Sequence, residues 1–256
     1  MSGYGDFSTF YDALMTDVNY AARADYLLRL FERHGAKPCS VLDIACGSGS
    51  LLAEFQKHGV EDIIGVDGSD AMLMRAREKL GADTLLLRQD MCELDLYGTV
   101  GGAVCTLDSL NHLCRTEQLA EVFRRARLFV EPGGLFIFDV NTIYKHREVL
   151  GDTAFVVEQP GLMCVWRNRY VPRTHEVSML LDFFTEEADG SYERYQDTVR
   201  ERAYSERTLR TLLSDNGWET VAVYEDMTTD APDDTCERMV FVARNTRTVE
   251  QAKLGE

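Results

Sequence analysis

Val41-Leu42-Asp43-Ile44-Ala45-Cys46-Gly47-Ser48-Gly49-Ser50 is the stretch on which the fold turns. The apolar run Cys39 to Ile44, bounded by Pro38 on one side and by Gly47 and Gly49 on the other, reads as a short buried strand. Leu51, Leu52 and Phe55 then open a helix. Small residues in such a turn let the backbone approach a ligand closely, and the helix start offers unpaired N–H groups. A dinucleotide fingerprint needs a third glycine where this chain has Leu52, so the nicotinamide signature fails there. Asp43 stands just ahead of the turn and a second acid, Asp67, ends the next apolar run. Two carboxylates repel a pyrophosphate and suit a cationic ligand that carries ribose hydroxyls.

Working outward, the alternation repeats. Asp62 to Asp67 reads as a strand, Ser69 or Asp70 as the cap of a helix carrying Leu73, Ala76 and Leu80, and Thr84 to Leu87 as a third strand. Val100 to Leu107 is a fourth, followed by a helix with Leu119, Val122, Phe123, Ala126 and Val130 on one face. Pro132, Gly133 and Gly134 turn the chain into Leu135 to Val140, the fifth strand. Five such units make a doubly wound, mostly parallel α/β sheet. Ahead of them Ala24, Leu27, Leu28 and Phe31 keep helical spacing, so residues 1–36 are expected to form a helical cap.

After Asn141 the pattern becomes alternating, with strands expected around Phe155 to Glu158, Met163 to Val171 and Val177 to Thr185, and an Asp189-Gly190 turn before Tyr192 to Ala203. Residues 145–204 are therefore an antiparallel β insertion after strand five. A helix from about Ser205 and strands at Glu219 to Tyr224 and Arg238 to Ala243 complete a seven-stranded sheet, giving a core of residues 37–144 and 205–245.

The 256 residues, 45% of them hydrophobic, suit a globular chain. Seven cysteines without a C-x-x-C pair suggest reduced, mostly buried thiols and no zinc site, and no metal ligands are singled out. The first residues show neither a basic region nor an apolar run, and no segment reaches the roughly 18 apolar residues of a spanning helix, so a cytoplasmic location is expected. A net charge of −16 disfavours nucleic acid as a partner and favours a small or cationic ligand.

The chain resembles the class I S-adenosylmethionine-dependent methyltransferases, whose first motif, acid-x-Gly-x-Gly-x-Gly, is matched at Asp43, Ala45, Gly47 and Gly49, with Ala45 in place of the first glycine. The resemblance implies the Rossmann-like methyltransferase fold, S-adenosyl-L-methionine as donor and S-adenosyl-L-homocysteine as product. It gives Asp67 the ribose hydroxyls, both of which a carboxylate can accept, and packs Met72 against the adenine. Asp90 and the Met91 backbone, in Arg88-Gln89-Asp90-Met91, would meet the adenine amino group. Thr106-Leu107-Asp108-Ser109-Leu110-Asn111-His112 matches the motif after strand four that lines the methionine end and the acceptor, which brings Leu107 and Asp108 into the donor site. Glu131-Pro132-Gly133-Gly134 matches the family's turn before strand five.

A helical N-terminus together with a β insertion after strand five resembles the small-molecule N-methyltransferases, in which N-terminal tyrosines close over the donor; Tyr11 and Tyr20 are the counterparts here. The expected reaction is in-line transfer to a small-molecule acceptor, at nitrogen in preference to oxygen, with positioning as the main catalytic effect. His112, just past strand four, is the candidate for orienting or deprotonating the acceptor, its alternative role being a histidine bonded to backbone at a helix opening. Asn141 and Tyr144 are candidate substrate contacts, and Trp166, Arg169 and His175 candidate lid residues. The competing readings are a nicotinamide-dependent oxidoreductase and a non-catalytic regulator that binds the same donor. The absence of an N-P-P-Tyr segment after strand four argues against base methylation on nucleic acid. Monomer and homodimer stay open.

Overall fold

Asn19 accepts the N–H of Ala22 at 3.0 Å and so starts the first helix, α1 (Tyr20–Arg33). Its apolar stripe Ala24, Leu27, Leu30 and Phe31 is fully buried. The computed structural model describes residues 18–248 and 250; Tyr11, with the rest of residues 1–17 of the expected cap, lies outside them. There follow β1 (Ser40–Ile44), α2 (Ser50–Lys57), β2 (Asp62–Asp67), α3 (Asp70–Leu80), β3 (Leu85–Arg88), β4 (Val100–Cys105), α4 (Thr116–Phe129) and β5 (Val130–Asn141). Strand five is longer than expected, because Pro132 to Gly134 continue the strand and the chain rejoins β4 after a shift in pairing between Val100 and Gly102.

The last three elements of the doubly wound layout are α5 (Glu206–Asp215), β10 (Trp218–Glu225) and β11 (Arg238–Asn245). They close a seven-stranded sheet of order β10-β11-β5-β4-β1-β2-β3. Strands β1 to β5 pair in parallel, and β11 runs antiparallel to both β5 and β10. Both faces are covered, and the period of two sorts the side chains. Phe136, Phe138 and Phe241 pack under α4 and α5, with Phe138 and Phe241 stacked at 5.0 Å. Leu135, Ile137, Val240 and Val242 face the opposite side, under α1, α2 and α3.

Between β5 and α5 the chain first winds into a single π-helical turn at Lys145–Leu150, then forms β6 (Ala154–Gln159), β7 (Leu162–Val171), β8 (Glu176–Glu186) and β9 (Tyr192–Arg202). These four strands make a separate antiparallel sheet with its own small core of Cys164, Val177, Leu181 and Phe183. Asn111, fully buried just past β4, fastens this sheet to the larger one: its Nδ2 donates to the carbonyls of Asn141 and Arg202, and its Oδ1 accepts the Asn141 N–H. No helix among the described residues is long and apolar enough to cross a membrane.

Candidate active site

The carboxyl ends of the parallel strands open into a cavity of about 950 Å³. One end is built from the turn after β1, where Ala45, Gly47 and Gly49 all take positive φ, at +62°, +53° and +73°. The Cys46 N–H donates to the Val66 carbonyl, which holds the turn against β2. Gly47 then turns its N–H onto Asp67 Oδ2 at 2.9 Å, while Oδ1 accepts the Ser69 N–H at 2.8 Å. These two bonds, one on each oxygen, together with a bond from the Gly68 backbone, hold the carboxylate across the turn. Burial pushes the Asp67 carboxyl up, and these backbone bonds oppose the shift. Ser69 caps α3 through Met72 N, and Met72, 4% exposed, lines the cavity beside Asp67. Asp90 accepts the Cys92 N–H at 2.8 Å, which presents Asp90 and Met91 on the same wall.

The middle of the cavity is made by the loop after β4. Leu107 and Asp108 both have φ of +56°, a conformation that non-glycine residues hold only under constraint. The constraint is Asp139, a 1%-exposed carboxylate on β5 whose two oxygens accept the N–H groups of Leu107 and Asp108, both at 2.8 Å. Arg23 of α1 and Arg238 of β11 neutralise Asp139, and Arg238 also reaches Asp108 at 2.6 Å. Burial would raise the Asp108 carboxyl, but Arg238, helped by His112 and Lys145, holds it below the usual carboxylate range.

Beyond this loop the far wall comes from the antiparallel sheet, through Val157, Trp166, Met179, Leu181 and Glu201. Asp108, His112 and Glu201 meet there, each with one polar atom lying within 4.8 Å of the others. Asn141, at the end of β5, lines the cavity as well.

Three likenesses to known proteins agree with this layout. A family model described as a methyltransferase domain matches residues 41–134. A protein named as a methyltransferase in Geobacillus sp. (strain WCH70) is 30% identical over 247 residues, covering 94% of this chain and 99% of that one. A solved S-adenosylmethionine-dependent methyltransferase from Clostridium acetobutylicum superposes with a TM-score of 0.84 at 26% identity, over 95% of this chain and 99% of the other. The chain belongs to the class I S-adenosylmethionine-dependent methyltransferases. A further likeness, 31% over 121 residues, or 47% of this chain and 50% of the relative, is to the dTDP-3-amino-3,4,6-trideoxy-α-D-glucopyranose N,N-dimethyltransferase of Streptomyces venezuelae.

In this methyltransferase Ala45, Gly47, Asp67, Met72, Asp90, Met91, Leu107, Asp108 and His112 all line the one cavity. Asp43 and Tyr20 do not; they face a small cleft of about 30 Å³, room for about one water, which shares Ala45, Gly47, Leu107 and Ser109 with the cavity lining. Burial, reinforced by the Asp67 carboxylate, pushes the Asp43 carboxyl well above its ordinary value. Gly49 lines neither space: a Cβ there would come within 2.9 Å of Ala76 Cβ, so it is a packing position between α2 and α3. Of the lid candidates Trp166 lines the cavity, whereas Arg169 and His175 do not, and of the two candidate substrate contacts Asn141 lines it and Tyr144 does not.

Sequence reasoning passed over Asp139, Lys145, Glu201 and Arg238. Asp139 had a signal, an acid inside the apolar run Leu135 to Val140. The other three carry none, since their meeting depends on how the two sheets dock.

Proposed function

We propose that the protein moves a methyl group from S-adenosylmethionine to a nitrogen of a small-molecule acceptor, with residues 145–204 as the acceptor wall and lid. The observation that carries this reading is the continuity of one cavity from Asp67, through Asp108 and His112, to Glu201. The residues present fit the donor. Asp67 offers two oxygens to the ribose, the Ala45–Gly47 backbone allows close approach, and Met72 with Asp90 and Met91 forms an adenine slot of suitable chemistry. Asp43, whose charge is destabilised by burial and by Asp67, favours a cationic guest nearby. When bound, the donor supplies a methyl group already made electrophilic by its sulfonium.

The chain's own work is positioning and proton handling. His112 stands with Asp108 and Glu201 at the acceptor end and takes the proton an amine must lose before its lone pair is free. Trp166, Met179 and Leu181 exclude water from that end. The Streptomyces venezuelae relative, named for dimethylating an amino sugar, supports nitrogen as the methylated atom. Tyr11 and Tyr20 remain candidates for closing the donor end.

The test is thermal unfolding with S-adenosylmethionine, S-adenosylhomocysteine, NADH and NADPH in parallel, followed by an acceptor screen. A ligand at 100 times its Kd adds about 2.7 kcal/mol, a rise of several degrees in a chain this long. The two sulfur ligands are expected to give that rise and Asp67→Ala to abolish it; a response to the nicotinamides alone would refute the reading. In turnover with an accepted amine, His112→Ala is expected to lower kcat by about 100-fold or more, and unchanged turnover would remove His112 from the chemistry.

A further inference from the structure

Glu201 ends β9 with its side chain 4% exposed, a costly place for a carboxylate. Two groups hold it there: Asn141 Nδ2 donates to Oε2 at 3.1 Å, and His146 Nε2 lies 3.3 Å from the same oxygen. His146 is itself fully buried, and its Nδ1 is 3.1 Å from the His175 carbonyl. A carbonyl only accepts, so Nδ1 carries a hydrogen. Asp108, across the same end of the cavity, is paired with Arg238.

Asn141 adds a second observation. Its Nδ2 is committed to Glu201, which fixes the amide orientation, and its Oδ1 is a buried acceptor with no partner among the described residues. A buried acceptor left unpaired is costly, and Asn141 lines the cavity. Asp108, His112, Glu201 and Asn141 thus gather acceptor atoms at one end of one cavity. Atoms accepting hydrogen bonds of about 2.8 Å from one tetrahedral nitrogen lie about 4.6 Å apart, and the Asp108, His112 and Glu201 atoms all lie within 4.8 Å of one another.

We infer that Glu201, set in place by His146 and Asn141, is the specificity residue that receives the acceptor as an ammonium group and selects nitrogen over oxygen. The inference rests on the methyl-transfer reading above. An ammonium has several N–H donors to share among these acceptors, whereas a hydroxyl has one. Lys145 and Arg238 line the same cavity, and their repulsion acts on a divalent cation about twice as strongly as on a singly charged ammonium. Glu201 binds the charged nitrogen, and His112 accepts the proton from it.

The test is calorimetric titration of the full chain, with and without saturating S-adenosylhomocysteine, using cyclohexylamine hydrochloride and its neutral counterpart cyclohexanol. The ammonium is expected to bind about tenfold or more tightly than the alcohol. Glu201→Gln is expected to erase that preference while the Kd for S-adenosylhomocysteine stays the same. Equal binding of amine and alcohol by the wild-type protein, no amine binding at all, or a preference that survives in Glu201→Gln would overturn the assignment. So would displacement of the ammonium by MgCl2 or ZnCl2, which would mark a metal site. The amine and alcohol comparison in the wild-type protein decides the matter even if the variant does not fold. Failure of S-adenosylhomocysteine to bind would instead strike the donor reading, and the two failures are thereby separated.

Discussion

Asp43 is a carboxylate kept where folding alone would not place it. It is 2% exposed at the end of β1, and the Asp67 carboxylate adds repulsion to the cost of burial. Its folded value is raised above the ordinary one. The folded state therefore gains from Asp43 only while it is protonated, and that gain is lost as pH rises from the ordinary aspartate value through the raised one. At pH 7 the group costs the fold stability. Asp43→Asn is expected to raise the Tm at pH 7 by about 2 °C or more, to lose that advantage as pH falls toward the ordinary aspartate range, and to weaken S-adenosylmethionine binding. Thermal melts across pH, with and without donor, check all three; a lower Tm at pH 7 would show that Asp43 stabilises the fold. Asp139 is the contrasting case, a buried acid given two backbone N–H groups and two arginines, and repaying them by holding Leu107 and Asp108 in left-handed geometry.

At the scale of elements, the turn between β1 and α2 shows why small residues recur there for different reasons. Ala45 and Gly47 face the cavity, whereas Gly49, at φ +73°, keeps α3 close enough for Ala76 Cβ, Leu80 Cδ1 and the Ala76 backbone to meet the turn. Gly49→Ala combines left-handed strain of about 1–2 kcal/mol with overpacking of about 1–3 kcal/mol. A loss of about 2 kcal/mol or more in denaturant unfolding is expected, and a loss below about 0.5 kcal/mol would refute the packing role. The same elements show what the sequence made readable. Strands and helices were legible because burial on both sheet faces leaves long apolar runs separated by amphipathic helices, and the alternation from Phe155 to Ala203 is a direct image of a half-covered sheet. The π-helical turn Lys145–Leu150 was not legible, since it places His146 against Glu201 only through the docking of two sheets. The cavity wall around Asp67, Met72 and Asp90 was readable because its residues are local to strand ends. The end around Asp108 and Glu201 joins β4, β5, β9 and β11, and no local pattern encodes that meeting.

Over the whole molecule the chain carries a net charge of −16, and the cavity lining has its own acids, Asp67, Asp90 and Glu93 among them. Such a field concentrates cations near the surface and repels anions, and salt weakens it as the screening length shrinks from roughly 10 Å at 0.1 M to roughly 3 Å at 1 M. The donor and its product provide a matched pair of probes, because S-adenosylmethionine is a net cation and S-adenosylhomocysteine, lacking the sulfonium methyl, is net neutral. Every contact to adenine, ribose and the amino acid group is common to both, so these contributions cancel in the ratio of their Kd values. What remains is the response of the sulfonium to the charge around it. Raising NaCl from about 0.05 to about 0.5 M is expected to weaken S-adenosylmethionine binding several-fold and to change S-adenosylhomocysteine binding by less than about twofold. Calorimetry at the two salt concentrations reads the ratio directly. A ratio that does not move with salt would mean that the distant acids are already screened or paired, and that discrimination of donor from product rests on short-range contacts around Asp43 and the loop held by Asp139.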